Sequence, residues 1–242
     1  MMFTPNAKLE FTIIPRILQA MVSINGSINA NHYQQVVQEN QFIAPGSQVR
    51  HSATKLNLNA GIQGLVSKEI SYRVTGNYKL TDKEHFYVID TASPLHNHYT
   101  IEYDRLQQLS VTGHMAAKIS HNIEGSLQAT LVKNTVSNLD EAWHTPSFTA
   151  KGNVSYTFHD MFVASLQTSI TGKRYAQSFY DTAFHTIELK PFTDINLKVE
   201  YLYNKSLSAF LSVYNLVGAD YQLWYQYPSR RLMIMAGFVY SL

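Results

Sequence analysis

The last eleven residues of the chain, Leu232-Met233-Ile234-Met235-Ala236-Gly237-Phe238-Val239-Tyr240-Ser241-Leu242, decide the fold class. Even positions carry Leu, Ile, Ala, Phe, Tyr and Leu, and odd positions carry Met, Met, Gly, Val and Ser. An alternation with a period of two predicts a β-strand. About ten residues is also the length with which a tilted strand crosses a bilayer. Whether this strand belongs to a membrane protein depends on how often the pattern recurs.

The same alternation recurs along the whole chain. Nine longer segments and a short opening one place apolar side chains on one parity, and mostly Asn, Gln, Ser, Thr or charged side chains on the other. They cover residues 8–13, 18–29, 56–64, 70–80, 109–119, 123–131, 148–158, 162–170, 194–203 and 207–214. Together with the final strand they predict an all-β fold of about eleven visible strands, an antiparallel up-and-down transmembrane β-barrel.

The connections between the predicted strands alternate strictly between short and long. Short turns lie at 14–16, 67–69, 120–122, 159–160 and 204–206, and long segments lie at 31–51, 81–107, 132–147, 171–193 and 215–230. An outer-membrane barrel has tight periplasmic turns at one rim and longer extracellular loops at the other. A soluble sandwich, the alternative fold, gives no reason for such sorting.

Aromatic residues of the apolar parity cluster near the short turns or the C-terminus. They are Tyr72, Tyr156, Phe158, Phe162, Tyr201, Tyr203, Phe238 and Tyr240. In a meander they form one ring at one end of the sheet, as expected for an aromatic girdle at a membrane interface. Packing in a protein core is the other interpretation of any single one.

A closed sheet of this size has a lumen too wide for side chains to fill, so the apolar face is expected to contact lipid. The outward set is Leu58, Ile62, Val74, Leu127, Val154, Leu166, Leu197 and Leu211. The set predicted to face the lumen is Asn59, Arg73, Lys79, His114, Lys118, Glu124, Gln128, Lys151, Gln167, Asp194, Lys198 and Glu200. Its mixed charge suits a polar solute path, a docking surface for a plug, or charges that pair to stiffen the wall.

Composition argues against several other classes. The net charge is only +2, which gives no electrostatic footprint for nucleic acid. The chain has no cysteine, and no apolar run approaches the length of a membrane-spanning helix. We expect no cofactor and no nucleic-acid partner, whereas outer-membrane lipid is an expected partner.

Candidate chemical sites are few. His96 and His98 have no further ligand at motif spacing, which favours a solvated loop over a metal site. His114 can pair with Glu124 on the next predicted strand, but no nucleophile and base form a recognisable constellation, so we expect no enzyme. Residues 33–40 can form a short helix. Trp143, Trp224, Tyr225 and Tyr227 lie in long loops, where they either contact a ligand or pack on one another.

Three stretches resemble TonB-dependent receptors. They are residues 193–201 (TDINLKVEY), 212–221 (SVYNLVGADY), which resembles the next strand of that family, and the loop 141–146 (EAWHTP). The resemblance implies the C-terminal part of a Gram-negative outer-membrane barrel. It also implies an assembly signal at Phe238, Tyr240 and Leu242 for the barrel-insertion machinery, with Leu242 where that family has an aromatic residue. No plug domain or energy-coupling segment is recognisable.

Strand direction predicts that residues 1–242 form the C-terminal part of a larger, even-numbered barrel. The first and last predicted strands both descend toward the short turns, so antiparallel closure needs at least one further upward strand. Upstream sequence, which can include a plug, or another outer-membrane chain is expected to supply it. We expect transport or reception of a polar solute. The alternatives are a non-transporting structural subunit and a membrane-embedded hydrolase.

Overall fold

The computed structural model describes residues 5–241, which form one large antiparallel sheet, two small hairpins and one short helix. The order of strands in the sheet is β1-β2-β3-β4-β5-β6-β7-β8-β11-β12-β15. The strands are β1 (Asn6–Ile14), β2 (Leu18–Asn29), β3 (Ser52–Leu65), β4 (Ile70–Ile89), β5 (Tyr99–Lys118), β6 (Ile123–Val136), β7 (Phe148–Phe158), β8 (Phe162–Thr171), β9 (Arg174–Tyr180), β10 (Ala183–Leu189), β11 (Phe192–Leu202), β12 (Leu207–Tyr214), β13 (Gln222–Trp224), β14 (Tyr227–Pro228) and β15 (Met233–Tyr240).

The large sheet is an up-and-down meander, as predicted. Each sheet strand pairs antiparallel with its neighbours, and the eleven strands match the predicted number. The short turns all lie at one rim. The long connections carry α1 (Tyr33–Glu39), the β9–β10 hairpin and the β13–β14 hairpin. The short helix at 33–40 is therefore confirmed. Among residues 5–241 no helix is long and apolar enough to cross a membrane.

One predicted loop is wrong. The segment 81–107 is mostly strand, because β4 continues to Ile89 and β5 begins at Tyr99, which leaves only 90–98 as a loop. Residues 86–89 (Phe-Tyr-Val-Ile) do not alternate, because both faces of this part of the hairpin are buried. A strand covered on both sides reads as a continuous apolar run and shows no period-two signal.

The side chains at the apolar positions of the sheet strands are largely exposed. In strand centres Leu58, Ile62, Val74, Leu127, Val154, Leu166 and Leu211 each expose about two fifths to half of their surface, and Leu197 is half-buried. Register pairs such as Ile62 with Val74, and Val154 with Leu166, place these side chains on one face. An extended apolar surface of this kind is what a lipid-facing wall presents.

The predicted aromatic group is a lateral row near the short turns. Phe158 lies opposite Phe162, Phe162 opposite Tyr201, and Phe238 follows across Ala209. The rings of Phe162 and Tyr201 lie 4.8 Å apart. Phe238 and Tyr240 are 81% and 67% exposed, so their rings are not core residues of the described chain. Leu242, the third member of the predicted assembly signal, lies outside the described residues.

The buried apolar residues lie beyond the wall, in what we call the cap: residues 30–51, 82–106, 137–147, 172–191 and 215–232. The β4–β5 extension is its centre. On one face Tyr87, Ile89 and Tyr99 pack with Val36 of α1 and with Ile43. On the other face Phe86, Val88 and Leu106 pack with Trp143. Two loops thus cover opposite sides of one hairpin.

The two edges of the large sheet do not pair with each other. Within residues 5–241, β1 pairs only with β2, and β15 pairs only with β12. Ile234 and Phe238 pair with Val213 and Ala209 on one side and have no partner from residues 5–241 on the other. The described chain therefore does not close a barrel, as the strand directions predicted.

Candidate functional site

The polar parity of the sheet forms the candidate site. Register pairs join Arg73 to His114, His114 to Gln128, and Gln128 to Lys151 in one lateral row across β4 to β7. Residues directly opposite one another point to the same face of a sheet, so these predicted residues share one side of the wall. The row continues through Ser169 to Asp194.

The remaining predicted residues lie in neighbouring rows of this face. Asn59 is opposite Asn77, Lys79 is opposite Gln108, Glu124 is opposite Lys118, and Lys198 is opposite Ser165. Gln167 faces both Asn153 and Asn196, and Glu200 is opposite Val163. The register thus brings the twelve predicted residues together on one polar surface. That this surface lines a lumen stays a prediction.

Cavities open on this polar face. One of about 720 Å³ is lined by Arg73, His114 and Gln128 together with Gln19 and Gln63. A second of about 410 Å³ shares His114 and Gln128 and adds Lys151, Gln167 and Asn196. A third of about 450 Å³ includes Lys118 and Glu124. The first two cavities bring residues of the central row together with polar residues of neighbouring strands.

Some charges on the polar face are paired and others are not. Lys198 Nζ lies 2.9 Å from Glu200 Oε2, and Lys79 Nζ lies 3.6 Å from Glu84 Oε2. Arg73 instead donates from Nε to Gln63 Oε1 at 2.9 Å. Within the described chain, neither Arg73 nor Lys151 has a carboxylate at ion-pair distance. The central row therefore carries two cations without an ion-pair partner among the described residues, and it ends at Asp194.

The predicted pairing of His114 with Glu124 is wrong. In the register His114 lies opposite Gln128, and Glu124 lies opposite Lys118 close to the short turn. The two residues are ten positions apart in sequence, but the turn at residues 119–122 sets a register in which they do not face each other. The row around His114 is one of hydrogen-bonding groups and cations rather than an acid–base pair.

The α1 loop is held to the β4–β5 extension by Glu39. Its Oε2 accepts hydrogen bonds from Tyr87 OH at 2.8 Å and from His85 Nε2 at 2.9 Å. Burial acts to raise the pKa of Glu39, but the bonds from His85 and Tyr87 outweigh it and lower that pKa below its ordinary value. Burial, with the neighbouring Glu39, raises the pKa of Tyr87, which keeps its hydroxyl a donor.

The 137–147 loop is anchored by Asp104 on the same extension. Asp104 is 4% exposed, and its Oδ2 accepts backbone N–H bonds from Ser137 at 2.9 Å, Asn138 at 2.6 Å and Leu139 at 3.0 Å. Burial acts to raise the pKa of Asp104, but hydrogen bonds from the backbone and side chain of Asn138 and from the backbone of Leu139 and Arg105 lower that pKa below its ordinary value. One carboxylate thus satisfies three backbone donors where the chain leaves β6.

An aromatic cluster joins the cap loops to one another. Trp224 packs against Tyr87, Tyr99 and His144, with ring centroids 5.0, 5.5 and 4.7 Å away. Burial, with the nearby charge of Arg174, lowers the pKa of His144 to about 3, so its ring is neutral. Arg174 is 3% exposed and donates to the carbonyls of Gln222 and Leu223.

Three of the four predicted loop aromatics pack on other side chains of the cap. Trp143 and Trp224 pack inside the cap, and Tyr227 stacks on Phe42 with ring centroids 3.3 Å apart. His96 and His98 lie in the 90–98 loop, where His98 Nδ1 is 3.1 Å from Ser93 Oγ. In the part of the chain that the structure describes, no group of three or more His, Cys, Asp or Glu residues is placed to hold a metal ion.

Sequence reasoning missed Glu39, His85, Tyr87, Asp104 and Arg174. The partners described above lie 33 to 49 positions away in the sequence. No spacing rule connects a loop residue with a strand that was itself predicted as loop. The one available signal was the continuous apolar run at 86–89, which is typical of a strand buried on both faces.

No protein-family model matches the chain, and no curated protein matches it. Solved structures do match. The pyoverdine outer membrane receptor FpvA of Pseudomonas aeruginosa PAO1 aligns with a TM-score of 0.71 at 10% identity, over 99% of this chain and 36% of that one. The ferric-catecholate import receptor Fiu of E. coli K12 gives 0.68 at 14%, over 97% and 34%. The copper transporter OprC gives 0.69 at 11%, over 96% and 39%.

These matches are TonB-dependent receptors, so the chain has the fold of the barrel portion of that class of outer-membrane proteins. They confirm the predicted fold class and the predicted resemblance. The chain spans little more than a third of the length of the structures it matches.

Proposed function

We propose that the chain forms part of the wall of a larger Gram-negative outer-membrane barrel that receives or transports a polar solute bearing negative charge. The observation that carries the proposal is the central row on the polar face. Arg73 and Lys151 stand there without carboxylate partners, and His114 and Gln128 lie between them. Cations and hydrogen-bond donors that line a polar path recognise anionic groups.

The domain assignment belongs to the same proposal: residues 1–242 are the C-terminal part of the barrel. The free edges of β1 and β15 belong to strands that both run toward the short turns. Pairing them directly would be parallel, and an unpaired edge is costly in lipid. An odd number of further strands restores antiparallel closure. A second copy of this chain does not restore antiparallel closure, because the first and last of its eleven strands also both run toward the short turns.

The solute class follows from combining the row with the fold. The neighbouring structures are a copper transporter and receptors for pyoverdine and ferric catecholates. A metal chelate with exposed carboxylate or catecholate oxygens suits Arg73 and Lys151. In this proposal a plug from outside the described residues docks on the polar face, and the protein is not an enzyme. Barrel insertion uses the exposed Phe238 and Tyr240.

The runner-up is a structural barrel subunit that transports nothing. The ion pair between Lys198 and Glu200 favours it, because charges paired along one strand stiffen a wall without meeting a solute. The two functions differ in whether the central row binds anions. A hydrolase has no comparable support, since the register separates His114 from Glu124.

The test uses the full-length protein purified from outer membranes. We expect heat-modifiable gel mobility and binding of ferric citrate in preference to uncharged maltotriose. The variant R73Q/K151Q should lose this preference by about fivefold per cation removed, whereas the control K205Q, at a short turn, should keep it. Equal binding of both solutes by the wild-type protein would leave the structural subunit as the better assignment.

A further inference from the structure

A belt of side-chain amides lies on the polar face of the sheet, between the central row and the cap. Its members belong to β3, β4, β5 and β6 and lie nearer the long loops than the central row does. Register pairs join them across the strands, directly or through Lys79, so they share one face. The amide belt consists of Asn57, Asn59, Asn77, Gln108 and Asn134.

Asn77 holds the β3 and β4 members of the belt together. Its Nδ2 donates to Asn57 Oδ1 at 2.5 Å and to Asn59 Oδ1 at 2.6 Å. These bonds fix the orientation of both β3 side-chain amides and use only their carbonyl oxygens. The N–H groups of the two β3 amides therefore stay available at fixed positions.

The other end of the belt is bonded to the cap. Gln108 Nε2 donates to Asn134 Oδ1 at 2.9 Å, and Asn134 Nδ2 donates to Thr145 Oγ1 at 3.1 Å. Thr145 belongs to the 137–147 loop, which Asp104 and Trp143 also hold to the β4–β5 extension. At this end the amides support the cap, so the binding capacity of the belt lies at its β3–β4 end.

The β3–β4 end keeps unused hydrogen-bonding groups. A side-chain amide has two N–H donors and a carbonyl oxygen with two lone pairs. Within residues 5–241, Asn57 Nδ2 and Asn59 Nδ2 donate to no protein acceptor, and Asn77 Oδ1 accepts from no protein donor. Asn57 and Asn59 are two positions apart on one strand, which separates them by about 7 Å. The three half-buried residues thus present two donor groups and one acceptor without any charge.

This array lies at a fixed distance from the central row. Asn77 is four positions from Arg73 on β4, so the two residues share a face and lie about 13 Å apart. Thr75 lies between them on that face, opposite Gly61 of β3. A solute that reaches both contacts needs an anionic group at one end and uncharged hydrogen-bonding groups at the other.

We propose that Asn57, Asn59 and Asn77 bind the hydroxyl groups of a polyhydroxylated anion, such as an oligosaccharide acid, whose anionic group lies on Arg73. The inference rests on the proposed function and narrows its solute class. A hydroxyl group both donates and accepts, so sugar hydroxyls complete the array of donors and acceptor. An anion without hydroxyl groups leaves these amides to water and loses the bonds they would make.

The experiment compares three solutes on the full-length protein by isothermal titration calorimetry. Trigalacturonate carries carboxylates and hydroxyl groups, propane-1,2,3-tricarboxylate carries carboxylates alone, and maltotriose carries hydroxyl groups alone. We expect wild type to bind trigalacturonate about tenfold more tightly than the tricarboxylate. N57A/N59A should bring the ratio of these two affinities close to one. The control Q107A, which removes an amide from the opposite face of β5, should keep the ratio, and R73Q/K151Q should weaken both anions.

The outcomes separate this inference from the proposed function. The ratio compares two solutes on one sample, so a lower folded fraction of a variant does not change it. Maltotriose binding as tight as that of both anions overturns the proposed function together with the inference. A wild-type protein that prefers both anions to maltotriose but does not distinguish between them overturns the inference alone. So does an N57A/N59A protein that keeps the wild-type ratio, because its amides would then only stiffen the wall.

Discussion

The wall and the cap use apolar side chains in opposite ways. In the wall, residues such as Leu127 and Leu131 stay 51% and 61% exposed. The backbone N–H and C=O groups there are paired by the hydrogen bonds of the β-ladder. In the cap, Tyr99 and Trp143 are 0% and 2% exposed and lie in compact clusters. In the proposed membrane setting this difference reflects two solvents: lipid replaces a core around the wall, whereas the cap lies in water and must build its own.

Removing a large side chain from the cap is expected to have the greatest effect. Trp143→Ala should destabilise the packing around Phe86 and Val88 by about 3–5 kcal/mol, because the substitution leaves a large cavity and loop 137–147 loses one of its anchors. The rate of amide hydrogen exchange at residues 84–106 in the full-length protein measures this destabilisation. The wall should keep its heat-modifiable mobility. Trp143→Phe is the control and should cost less. Loss of the wall along with the cap would contradict the separation of the two regions.

A charge placed on the exposed face of the wall is expected to have the next largest effect. Leu127 lies at the middle of the apolar run of β6, opposite Met115 and Gly152. Leu127→Arg should lower the stability of the membrane-inserted protein by about 2–4 kcal/mol. This cost is expected even though half of the Leu127 surface is exposed in the described chain. Gln128→Arg, on the other face of the strand, should have little effect. Urea titration of the protein folded into vesicles compares the two, and equal costs would mean that the leucine face does not contact lipid.

The anchor at Asp104 should be worth less than a core aromatic but more than a surface contact. Asp104→Asn keeps the shape and one acceptor while removing the charge that accepts three backbone bonds, which should cost about 2 kcal/mol. Faster exchange of the amides of Ser137, Asn138 and Leu139 reports it. Asp140→Asn, an acidic residue in the same loop, is the control. Unchanged exchange at these three amides would remove Asp104 from its anchoring role.

The smallest predicted effect is an acid-sensitive contact between α1 and the β4–β5 extension. Because the pKa of Glu39 is lowered in the folded protein, its contact is fully present above the ordinary value of 4.5 and weakens as pH falls through the lowered pKa. The groups facing it are His85, Tyr87 and Gln35, and Glu84 lies 3.8 Å from the His85 ring. Exchange at Val36 and Asn40 should rise on acidification, and Glu39→Gln should remove this pH dependence. A pH response that survives the substitution would point to another group.

Alternation and loop length were enough to predict most of the wall. The strand order, the single rim of short turns and the shared face of Arg73, His114, Gln128 and Lys151 all follow from a period of two, because a one-residue slip would move every side chain to the other face. The register partner of His114 could not be predicted from the alternation, because register across a turn depends on the conformation of residues 119–122 rather than on composition.

By itself, the sequence determined that this chain is a wall of alternating strands with one apolar and one polar face, because each strand carries that information locally. Only the tertiary structure decided the cap. Phe86 and Tyr87 are adjacent in sequence, yet one packs on Trp143 and the other on α1, and Glu39 reaches His85 across 46 positions. Those contacts join residues distant in the chain, and their energy depends on which loop covers which face, which no local period encodes.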